Sequence, residues 1–269
     1  MNEKIGILGC GWLGLPLAKW FLRNSDEVYG TTTSSQKLAT LQAEGIHPFL
    51  ISLSSSGIEG GIQDFLSAID LLVINVPPKL RGKNTESFFE KMKLLHAEIR
   101  KSSVQKIIFV SSTSVYGNLQ REVTEASVPK PATESGKQLL ASEDLFKQDN
   151  ALHTSIVRFG GLIGPDRHPV TMLSGKRNLS NGNDPVNIIH LDDCIHLINT
   201  IIEKQYWDET FNGVYPLHPK KSEYYTVEAQ KRGIPPPHYS NATAPSLGKV
   251  ILSKNFLDKG HGFGTPISS

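Results

Sequence analysis

The stretch that decides the fold is Ile-Gly-Ile-Leu-Gly-Cys-Gly-Trp-Leu-Gly, residues 5–14. Its first four residues are apolar or small, and such a run predicts a short buried strand. The three glycines that follow form a GxGxxG pattern, which is typical of a tight turn between a strand and a helix: Gly9, Gly11 and Gly14. Apolar side chains then recur at helical spacing from Leu13 to Phe21, so we predict that a helix follows the turn.

The same alternation of apolar runs and helical segments continues as far as residue 159. Further strands are predicted at 27–30, 47–53, 71–76, 106–111 and 154–159. Helices are predicted between them at 36–44, 61–69, 85–101 and 135–148. Strands that are almost wholly apolar and alternate with helices are typical of a parallel sheet covered on both faces. We therefore predict an α/β fold of the Rossmann type, with a doubly wound parallel sheet.

The pattern loosens beyond Gly164-Pro165. A helix near 192–203 and a strand near 211–215 are predicted to return to the main sheet, and the rest forms a small interleaved lobe. We therefore divide the chain into a Rossmann domain over residues 1–165 and a region over 166–269 that is mostly the small lobe.

The glycine turn has a specific physical use. Gly9 permits the turn, Gly11 leaves room for a pyrophosphate, and Gly14 lets the helix pack closely on the sheet. The N-terminus of the following helix offers N–H groups and a partial positive charge to phosphates. We predict a dinucleotide site at this turn; the alternative is a glycine turn that binds no ligand. The residues expected to contact the dinucleotide here are Gly9, Gly11, Trp12, Leu13 and Gly14.

The segment after the second strand bears on which dinucleotide is bound. An NAD site usually has an acidic residue there, which would repel a 2′-phosphate. This chain instead has hydroxyls and a lysine, which favours NADP over NAD: Thr31, Thr32, Thr33 and Lys37. The hydroxyls can also cap the next helix, and both roles are compatible. Val76 and Pro77, which end the fourth strand, are expected to line the cofactor, although the two prolines can simply end the strand.

The composition excludes several classes of function. Of the 269 residues, 38% are hydrophobic and 20% are charged, as in globular proteins. The formal net charge is +2, so we expect neither a nucleic-acid nor a membrane partner. The basic pairs Lys220-Lys221 and Lys231-Arg232 are interpreted as solvated surface. No signal segment or long apolar stretch is present, which predicts a cytoplasmic protein.

Two local features suggest a ligand but have simpler explanations. Cys10 lies at a helix start, where a thiol can become reactive, yet a small buried residue is favoured. His190 with Asp192-Asp193 could bind a metal, but an aspartate that caps the following helix is favoured. Since the two cysteines form no CxxC or Cys/His cluster, we expect no metal site.

Several segments, taken in order, resemble one family. They are the glycine turn, Ser111-Ser112-Thr113-Ser114-Val115-Tyr116-Gly117, Lys137, the stretch 157–165 and the stretch 187–193. Together they are similar to the extended short-chain dehydrogenases/reductases, which include nucleotide-sugar epimerases and dehydratases. The resemblance spans roughly the first 200 residues, with a weaker match over 249–263.

The resemblance implies roles for individual residues. Ser112 would hydrogen-bond the substrate oxygen, and Lys137 would hold the nicotinamide ribose. Phe159 and Gly161 would contact the cofactor. The family also has a tyrosine four residues before the lysine, on the same helical face, and the lysine lowers its pKa so that it can exchange a proton. Here that position is Thr133.

The threonine is a departure with chemical consequences. Its hydroxyl has a far higher pKa than a phenol, and loss of a general acid typically costs about 10²–10⁴-fold in rate. Three alternatives remain: Tyr116 supplies a phenol; a water ordered by Ser112, Ser114 and Lys137 carries the proton; or the protein catalyses nothing.

The expected function follows from the resemblance and the glycine turn. We expect an epimerase, dehydratase or reductase that uses NADP or NAD and transfers a hydride to or from a sugar nucleotide or a small carbonyl or alcohol. The alternative is a non-catalytic sensor of NADP(H). The family often pairs through helices at the edge of its sheet, which makes a homodimer an expected partner arrangement.

Overall fold

The computed structural model describes residues 3–24, 27–78, 86–117, 122–240 and 248–268. The strands are β1 Lys4–Leu8, β2 Glu27–Thr32, β3 His47–Leu50, β4 Ser52–Leu53, β5 Ile58–Glu59, β6 Leu71–Ile74, β7 Lys106–Ser112, β8 Glu122–Val123, β9 His153–Phe159, β10 Gly161–Ile163, β11 Ile188–His190, β12 Thr210–Gly213 and β13 Val250–Ile251. The α-helices are α1 Gly14–Arg23, α2 Gln36–Ala43, α3 Ile62–Ser67, α4 Phe88–Ile99, α5 Glu134–Lys147, α6 Pro169–Leu173, α7 Leu191–Glu203, α8 Lys221–Lys231 and α9 Lys254–Asp258. A 3₁₀ turn spans Thr113–Tyr116.

The central sheet confirms the predicted doubly wound Rossmann fold. Seven strands lie in the order β12-β9-β7-β6-β1-β2-β3. The first strand pairs in parallel with β2 on one side and with β6 on the other. The chain therefore moves outward from β1 to β3, returns to the centre, and moves outward again in the opposite direction. Because crossovers between parallel strands are right-handed, this reversal places helices on both faces of the sheet.

The central strands form because their residues are apolar on both faces. All four residues of β6 are buried, and so are Ile5–Leu8 of β1. Burying one such side chain contributes about 1.5–3 kcal/mol, so these two strands anchor the sheet. Within β1, Gly6 packs closely against Ile69, and a Cβ there would come within 2.3 Å of Ile69 Cδ1.

The third strand is shorter than the predicted 47–53. It ends at Leu50, and Ile51 still donates its N–H to the Thr32 carbonyl. Beyond that point the chain turns into an antiparallel hairpin of β4 and β5, in which Ser52 pairs with Glu59. The hairpin forms because the Ser54 N–H donates to the Gly57 carbonyl and closes a tight turn.

The helix predicted over 85–101 begins at Phe88, and Thr85 lies outside the described residues. Its start is fixed by Ser87, whose Oγ accepts from the Glu90 N–H at 3.2 Å. The side-chain oxygen of Gln138 accepts from the N–H groups of Phe88 and Phe89 at 2.6 and 3.3 Å. Four N-terminal N–H groups of a helix lack partners within it, and these contacts bind three of them.

The chain divides into two compact units. The first unit comprises Met1–Ser111, Thr133–Val157 and Ile198–Glu209, and the second comprises Ser112–Ala132, Arg158–Leu197 and Thr210–Ser269. The division predicted from the sequence assigns cofactor binding to residues 1–165 and most of the small lobe to residues 166–269. These assignments stay predictions. None of the helices in the described ranges has the length and apolar character of a membrane span.

The second unit contains helices that the sequence pattern did not predict. Its apolar core joins α6, α8 and the C-terminal segment through Val170, Tyr224, Tyr225, Ala229 and Ile267 among others. The basic pair at the end of α8 is exposed, which confirms its interpretation as solvated surface, and Arg232 also makes a structural contact. Its guanidinium pairs with the carboxylate of Glu228, which is only 1% exposed. A buried carboxylate needs such a partner, because an isolated buried charge is very costly.

His168 lies inside this core in its neutral form. Its Nδ1 accepts from the Val170 N–H at 3.2 Å, so the ring hydrogen is on Nε2, 3.0 Å from the Tyr224 hydroxyl. That hydroxyl donates to the Ile267 carbonyl at 2.6 Å. Burial and the charge of Arg232 lower the pKa of His168 to about 4, and they outweigh the opposing effect of Glu228, 3.8 Å away.

This arrangement predicts a loss of stability in mild acid. The folded pKa lies below the ordinary value of 6.5, so the unfolded chain binds the proton first. The stabilisation is fully present above about pH 6.5 and is lost progressively towards pH 4, by about 3 kcal/mol at 1.4 kcal/mol per pH unit. Denaturant unfolding from pH 7 to pH 4 measures it. His168→Asn keeps an acceptor for Val170 and removes the titration, so its stability should fall less steeply; an equally steep fall would contradict the assignment.

Candidate functional site

In the first unit, the glycine turn is tied to the ends of two strands. Gly9 has φ +106°, and a Cβ there would lie 2.7 Å from the Asn75 carbonyl oxygen. Its N–H donates to Thr31 Oγ1 at 2.9 Å, and its carbonyl accepts from Asn75 Nδ2 at 3.0 Å. The positive φ and the close approach explain why this position needs glycine.

The other two glycines of the turn have opposite surroundings. A Cβ on Gly14 would lie 2.2 Å from the Gly9 carbonyl oxygen, so this glycine allows the helix to pack against the turn. A Cβ on Gly11 would meet nothing within 4 Å. Space is thus kept over Gly11, which is where the sequence analysis places a pyrophosphate.

The helix that follows suits an anion. Its N-terminus has no side-chain cap, and its first turn contains no acidic residue. An uncapped helix N-terminus carries N–H groups and about half a positive charge, both of which favour phosphate. Pro16 lies in this first turn, where its missing N–H is not needed.

A cavity of about 310 Å³ opens beside the turn. Seven residues predicted to bind the cofactor line it: Gly9, Gly11, Thr31, Thr32, Thr33, Val76 and Pro77. Trp12, Leu13 and Gly14 belong to the adjoining turn and helix start and are not lining residues. The structure therefore brings together the ends of β1, β2 and β6 at one edge of the sheet, as the rule for open α/β sheets requires.

The side chains that line the cavity include basic groups, although Lys91 forms an ion pair with Glu86. Lys37 and Lys91 line it, and none of its lining residues is acidic. The Thr32 hydroxyl accepts from the Ser34 N–H at 3.1 Å, so one of the predicted hydroxyls stabilises the loop itself. Ser35 follows these residues and lies at the start of α2. Its side chain makes no cap hydrogen bond, so this hydroxyl does not cap the helix.

Sequence analysis missed several lining residues. Asn75 and Ile51 follow strands directly, and the rule that selected Val76 could have found them. Leu53 lies in the unpredicted hairpin. Phe88, Lys91 and Met92 lie on α4, and only the packing of that helix beside the sheet reveals them.

Cys10 also lines the cavity, but its thiol is not reactive. It is 7% exposed, and burial raises its pKa to about 12. A Cβ on Gly30 would lie 2.6 Å from its sulfur, which shows how closely the second strand packs here. The interpretation of Cys10 as a small buried residue is confirmed.

Thr133 and Lys137 lie at the start of α5 in the first unit. Thr133 precedes the helix with φ −110° and ψ 154°, so it does not share a helical face with Lys137 as the tyrosine of the family does with its lysine. Its hydroxyl accepts from the Gly136 N–H at 3.1 Å, so it is the N-cap. Lys137, one turn later, has an exposed side chain.

In the second unit, residues 112–117 form a closed turn. Ser112 Oγ accepts from the Ser114 N–H at 3.2 Å, and Gly117 ends the turn with φ +65°. Lys249 donates from Nζ to the carbonyls of Thr113 and Gly117, at 3.0 and 2.6 Å. Burial lowers the pKa of this lysine. Sequence analysis missed Lys249, which lies 132 residues or more from the carbonyls that it binds.

Tyr116 is buried in the second unit. Its hydroxyl donates to Asn212 Oδ1 at 2.8 Å and accepts from Arg158 Nη1 at 2.9 Å. Burial raises its pKa, and the nearby guanidinium only partly offsets that effect. Both the proton and a lone pair of this phenol are therefore engaged inside the core.

The remaining predicted residues have structural contacts. Phe159 is buried. Its ring packs against Gly213, where a Cβ would come within 2.3 Å of Phe159 Cδ1. Gly161 is exposed and donates its N–H to the Asn187 carbonyl at 2.8 Å.

The histidine and aspartates of the stretch 187–193 bind backbone groups. His190 Nδ1 accepts from the Asp192 N–H, so the histidine, and not an aspartate, caps this helix start. The Asp193 carboxylate accepts from the N–H groups of Gly264 and Thr265. Across the described ranges, no group of three potential metal ligands occurs.

Comparison with known sequences identifies relatives. No family model matches the chain. It is 31% identical over 250 residues to the protein YeeZ of Escherichia coli K12, covering 93% of this chain and 91% of that protein. It is also 23% identical over 230 residues to an uncharacterised UDP-glucose epimerase, YtcB, of Bacillus subtilis, covering 75% of this chain and 73% of the relative.

Solved structures share the fold. MoeE5 in complex with UDP-glucuronic acid and NAD superposes with a TM-score of 0.79 at 18% identity, covering 98% of this chain and 95% of that chain. The UDP-glucose 4-epimerase of Thermotoga maritima with UDP-glucose gives 0.80 at 15% identity, with the same coverage. The identity to the relative in Escherichia coli, which extends over most of both chains, shows that this chain belongs to the family of YeeZ.

Proposed function

We propose that the first unit binds a nicotinamide dinucleotide, with its pyrophosphate over Gly11 and the N-terminus of α1. The observation that carries the proposal is the contrast within the turn: Gly9 and Gly14 are packed against backbone, whereas Gly11 faces open space and lines the cavity. A cavity that has no acidic lining residue and is lined by Lys37 suits a ligand that carries several phosphate charges. Solved relatives of the same fold contain NAD.

NADP is the preferred form in this proposal. Lys37 lines the cavity beyond the end of β2, next to the hydroxyls of Thr32 and Thr33. An ammonium with neighbouring hydroxyls can hold a 2′-phosphate by charge-assisted hydrogen bonds. No carboxylate among the lining residues opposes it.

The proposed activity is that of an epimerase, dehydratase or reductase. When bound, the nicotinamide would supply or accept a hydride at a carbon that bears a hydroxyl or carbonyl. Ser112 accepts the Ser114 N–H through a lone pair, which leaves its own hydrogen able to donate to the substrate oxygen. Lys137, with an exposed ammonium, would hold the ribose. We propose a sugar nucleotide or a small carbonyl or alcohol as substrate, selected mainly by residues 166–269.

A second function is favoured by one observation. Thr133, at the position of the family's acidic tyrosine, is used as a helix cap, and Tyr116 is committed to the core. A protein with a cofactor cavity, in which Thr133 has no phenol and the phenol of Tyr116 is already hydrogen-bonded, fits a sensor of NADP(H) that reports its bound state to a partner.

Calorimetric titration with NADPH, NADP, NADH and NAD tests the shared part of both proposals. Binding of the phosphorylated pair at least about tenfold more tightly supports the assignment of Lys37. If none of the four binds, both functions fail. Oxidation of NADPH in the presence of a panel of sugar nucleotides and simple carbonyls then separates the enzyme from the sensor.

The second and third glycines of the turn predict different mutant phenotypes. Gly11→Ala places a methyl group in open space within the cavity, so it should weaken NADPH binding by about tenfold or more without lowering the unfolding temperature. Gly14→Ala collides with the Gly9 carbonyl and should lower the unfolding temperature. Gly262→Ala, also in open space but not a lining residue, is the control. Unchanged affinity of Gly11→Ala would contradict the proposed position of the pyrophosphate.

Removal of the lysine beside the second strand should change cofactor preference. Lys37→Ala deletes a charged hydrogen-bond donor, worth about 1.5–3 kcal/mol, so affinity for NADPH should fall about tenfold or more. Affinity for NADH should stay within about twofold. Lys101→Ala, an exposed lysine of the same charge away from the cavity, should change neither. A parallel fall for NADPH and NADH would show that Lys37 does not contact the 2′-phosphate.

Substitutions of the helix cap separate stability from chemistry. Thr133→Ala should lower the free energy of unfolding by about 1 kcal/mol, whereas Thr133→Ser should retain it, because only the serine can accept from Gly136. Thr133→Tyr loses the same cap and restores a phenol. The enzyme function predicts faster NADPH oxidation by Thr133→Tyr than by Thr133→Ala with at least one carbonyl substrate. Equal rates favour the sensor.

A further inference from the structure

The dipeptide Asn-Gly occurs twice in the sequence, at Asn181-Gly182 and at Asn212-Gly213. It is chemically labile, because the amide nitrogen that follows the asparagine can attack the side-chain carbonyl carbon, and glycine has no Cβ to hinder the approach. Both copies belong to the second unit, but their surroundings differ. The fold can therefore protect one copy and leave the other open to reaction.

The copy at Asn212 is held in strand β12. Asn212 is fully buried, and its Oδ1 accepts from the Tyr116 hydroxyl at 2.8 Å. Its Nδ2 donates to the Leu252 carbonyl at 2.9 Å. The side chain cannot turn towards the Gly213 nitrogen without breaking both hydrogen bonds. Reaction here requires the strand to open, and opening a core strand costs nearly as much as global unfolding.

The copy at Asn181 lies in a turn that is held through its carbonyl groups. Asn181 is exposed, and its backbone carbonyl accepts from the Asp184 N–H at 3.2 Å. The Gly182 carbonyl accepts from the Ser222 N–H at 2.9 Å. Within the described residues, neither the Asn181 side chain nor the Gly182 N–H makes a hydrogen bond. No hydrogen bond among these residues therefore has to break before the two reacting groups meet.

The same turn also fixes the start of α8. Lys220, at the N-cap of that helix, makes no side-chain cap. The Lys221 N–H donates instead to the Asp184 carbonyl at 2.9 Å. The Ser222 N–H donates to the Gly182 carbonyl, as described above. The first N–H groups of a helix have no partner within it, so the start of α8 depends on the position of this turn.

We propose that Asn181 is a site of spontaneous deamidation that releases the start of α8. The Gly182 nitrogen bonds to Asn181 Cγ, the bond from Cγ to Nδ2 breaks, and the Gly182 proton leaves with the nitrogen as ammonia. Water then opens the succinimide ring and gives aspartate or isoaspartate. Isoaspartate adds one methylene to the backbone and so displaces the Gly182 carbonyl from Ser222.

This modification is independent of dinucleotide binding and of any hydride transfer. The competing explanation is that Gly182 is too tightly packed to react, because a Cβ there would lie 3.0 Å from Tyr239 Cβ. The two explanations predict different rates of reaction in the folded protein.

The test is incubation of the full chain in warm, mildly alkaline buffer, followed by tryptic digestion and mass spectrometry against freshly purified protein. The two dipeptides fall in separate tryptic peptides, 178–204 and 205–220. Asn181 should convert to the acid at least about a hundredfold faster than Asn212, because a core strand of a stable domain is open less than about one part in a thousand of the time.

Two controls show that the fold sets this difference. In denaturant both asparagines should convert at similar rates, because each is then followed by an unhindered glycine. Asn181→Gln keeps the amide but forms a larger ring far more slowly, so peptide 178–204 should stay unmodified at that position. Similar slow rates for Asn181 and Asn212 in the folded protein would overturn the proposal in favour of tight packing.

Amide hydrogen exchange, followed residue by residue, tests the effect on α8. In the incubated protein that carries isoaspartate, the Ser222 N–H should exchange about tenfold faster, the factor expected when one hydrogen bond is lost. Asn181→Asp has the new charge on an unaltered backbone and should retain the original protection. Unchanged exchange at Ser222 in the isoaspartate form, or equally fast exchange in Asn181→Asp, would overturn the proposed release of the helix start.

Discussion

The close approach of Gly9 to Asn75 is the constraint on which the candidate site depends. The chain passes so near the Asn75 carbonyl that a Cβ has no room, and the Asn75 side chain binds the Gly9 carbonyl in return. Thr31 holds the N–H of the same glycine. Three neighbouring strand ends are thereby fixed together at one sheet edge. Without this contact the turn would not direct Gly11 and the first turn of α1 towards the cavity.

Some elements of the fold could be predicted from the sequence and others could not, and the difference has a physical cause. A strand that is buried on both faces has to be apolar throughout. For this reason β1 and β6 can be predicted from continuous runs of apolar or small residues that are followed by turn residues. The hairpin of β4 and β5 cannot be predicted in this way, because it depends on hydrogen bonds within the short polar segment around Ser54. Helix α8 was missed for a related reason: its buried face includes Glu228, a charged residue whose carboxylate pairs with Arg232 and Lys231.

The residues of the candidate site also differ in how well the sequence predicted them. Residues that follow strands in a parallel sheet must meet at its carboxyl edge, so Thr31 to Thr33 and Val76 could be placed before the structure was known. Spacing along a helix was less dependable. Thr133 lies four residues before Lys137, but its hydroxyl bonds the backbone, and the helix therefore begins after it. Lys249 was beyond prediction because its partners are more than a hundred residues away in the chain.

The second unit shows why a phenol in a matching motif need not be an acid. Tyr116 belongs to a buried polar network in which Arg158 donates to it and Asn212 accepts from it. Asn212 is fixed in turn, because its N–H donates to Glu125 and its side-chain amide donates to the Leu252 carbonyl. A network with each member satisfied is rigid, and removing one proton would leave a buried charge. The features that favour cofactor binding lie in the first unit and involve neither this network nor Thr133. The residues proposed for dinucleotide binding are therefore distinct from those examined as a proton donor, and the two proposed roles can be tested separately.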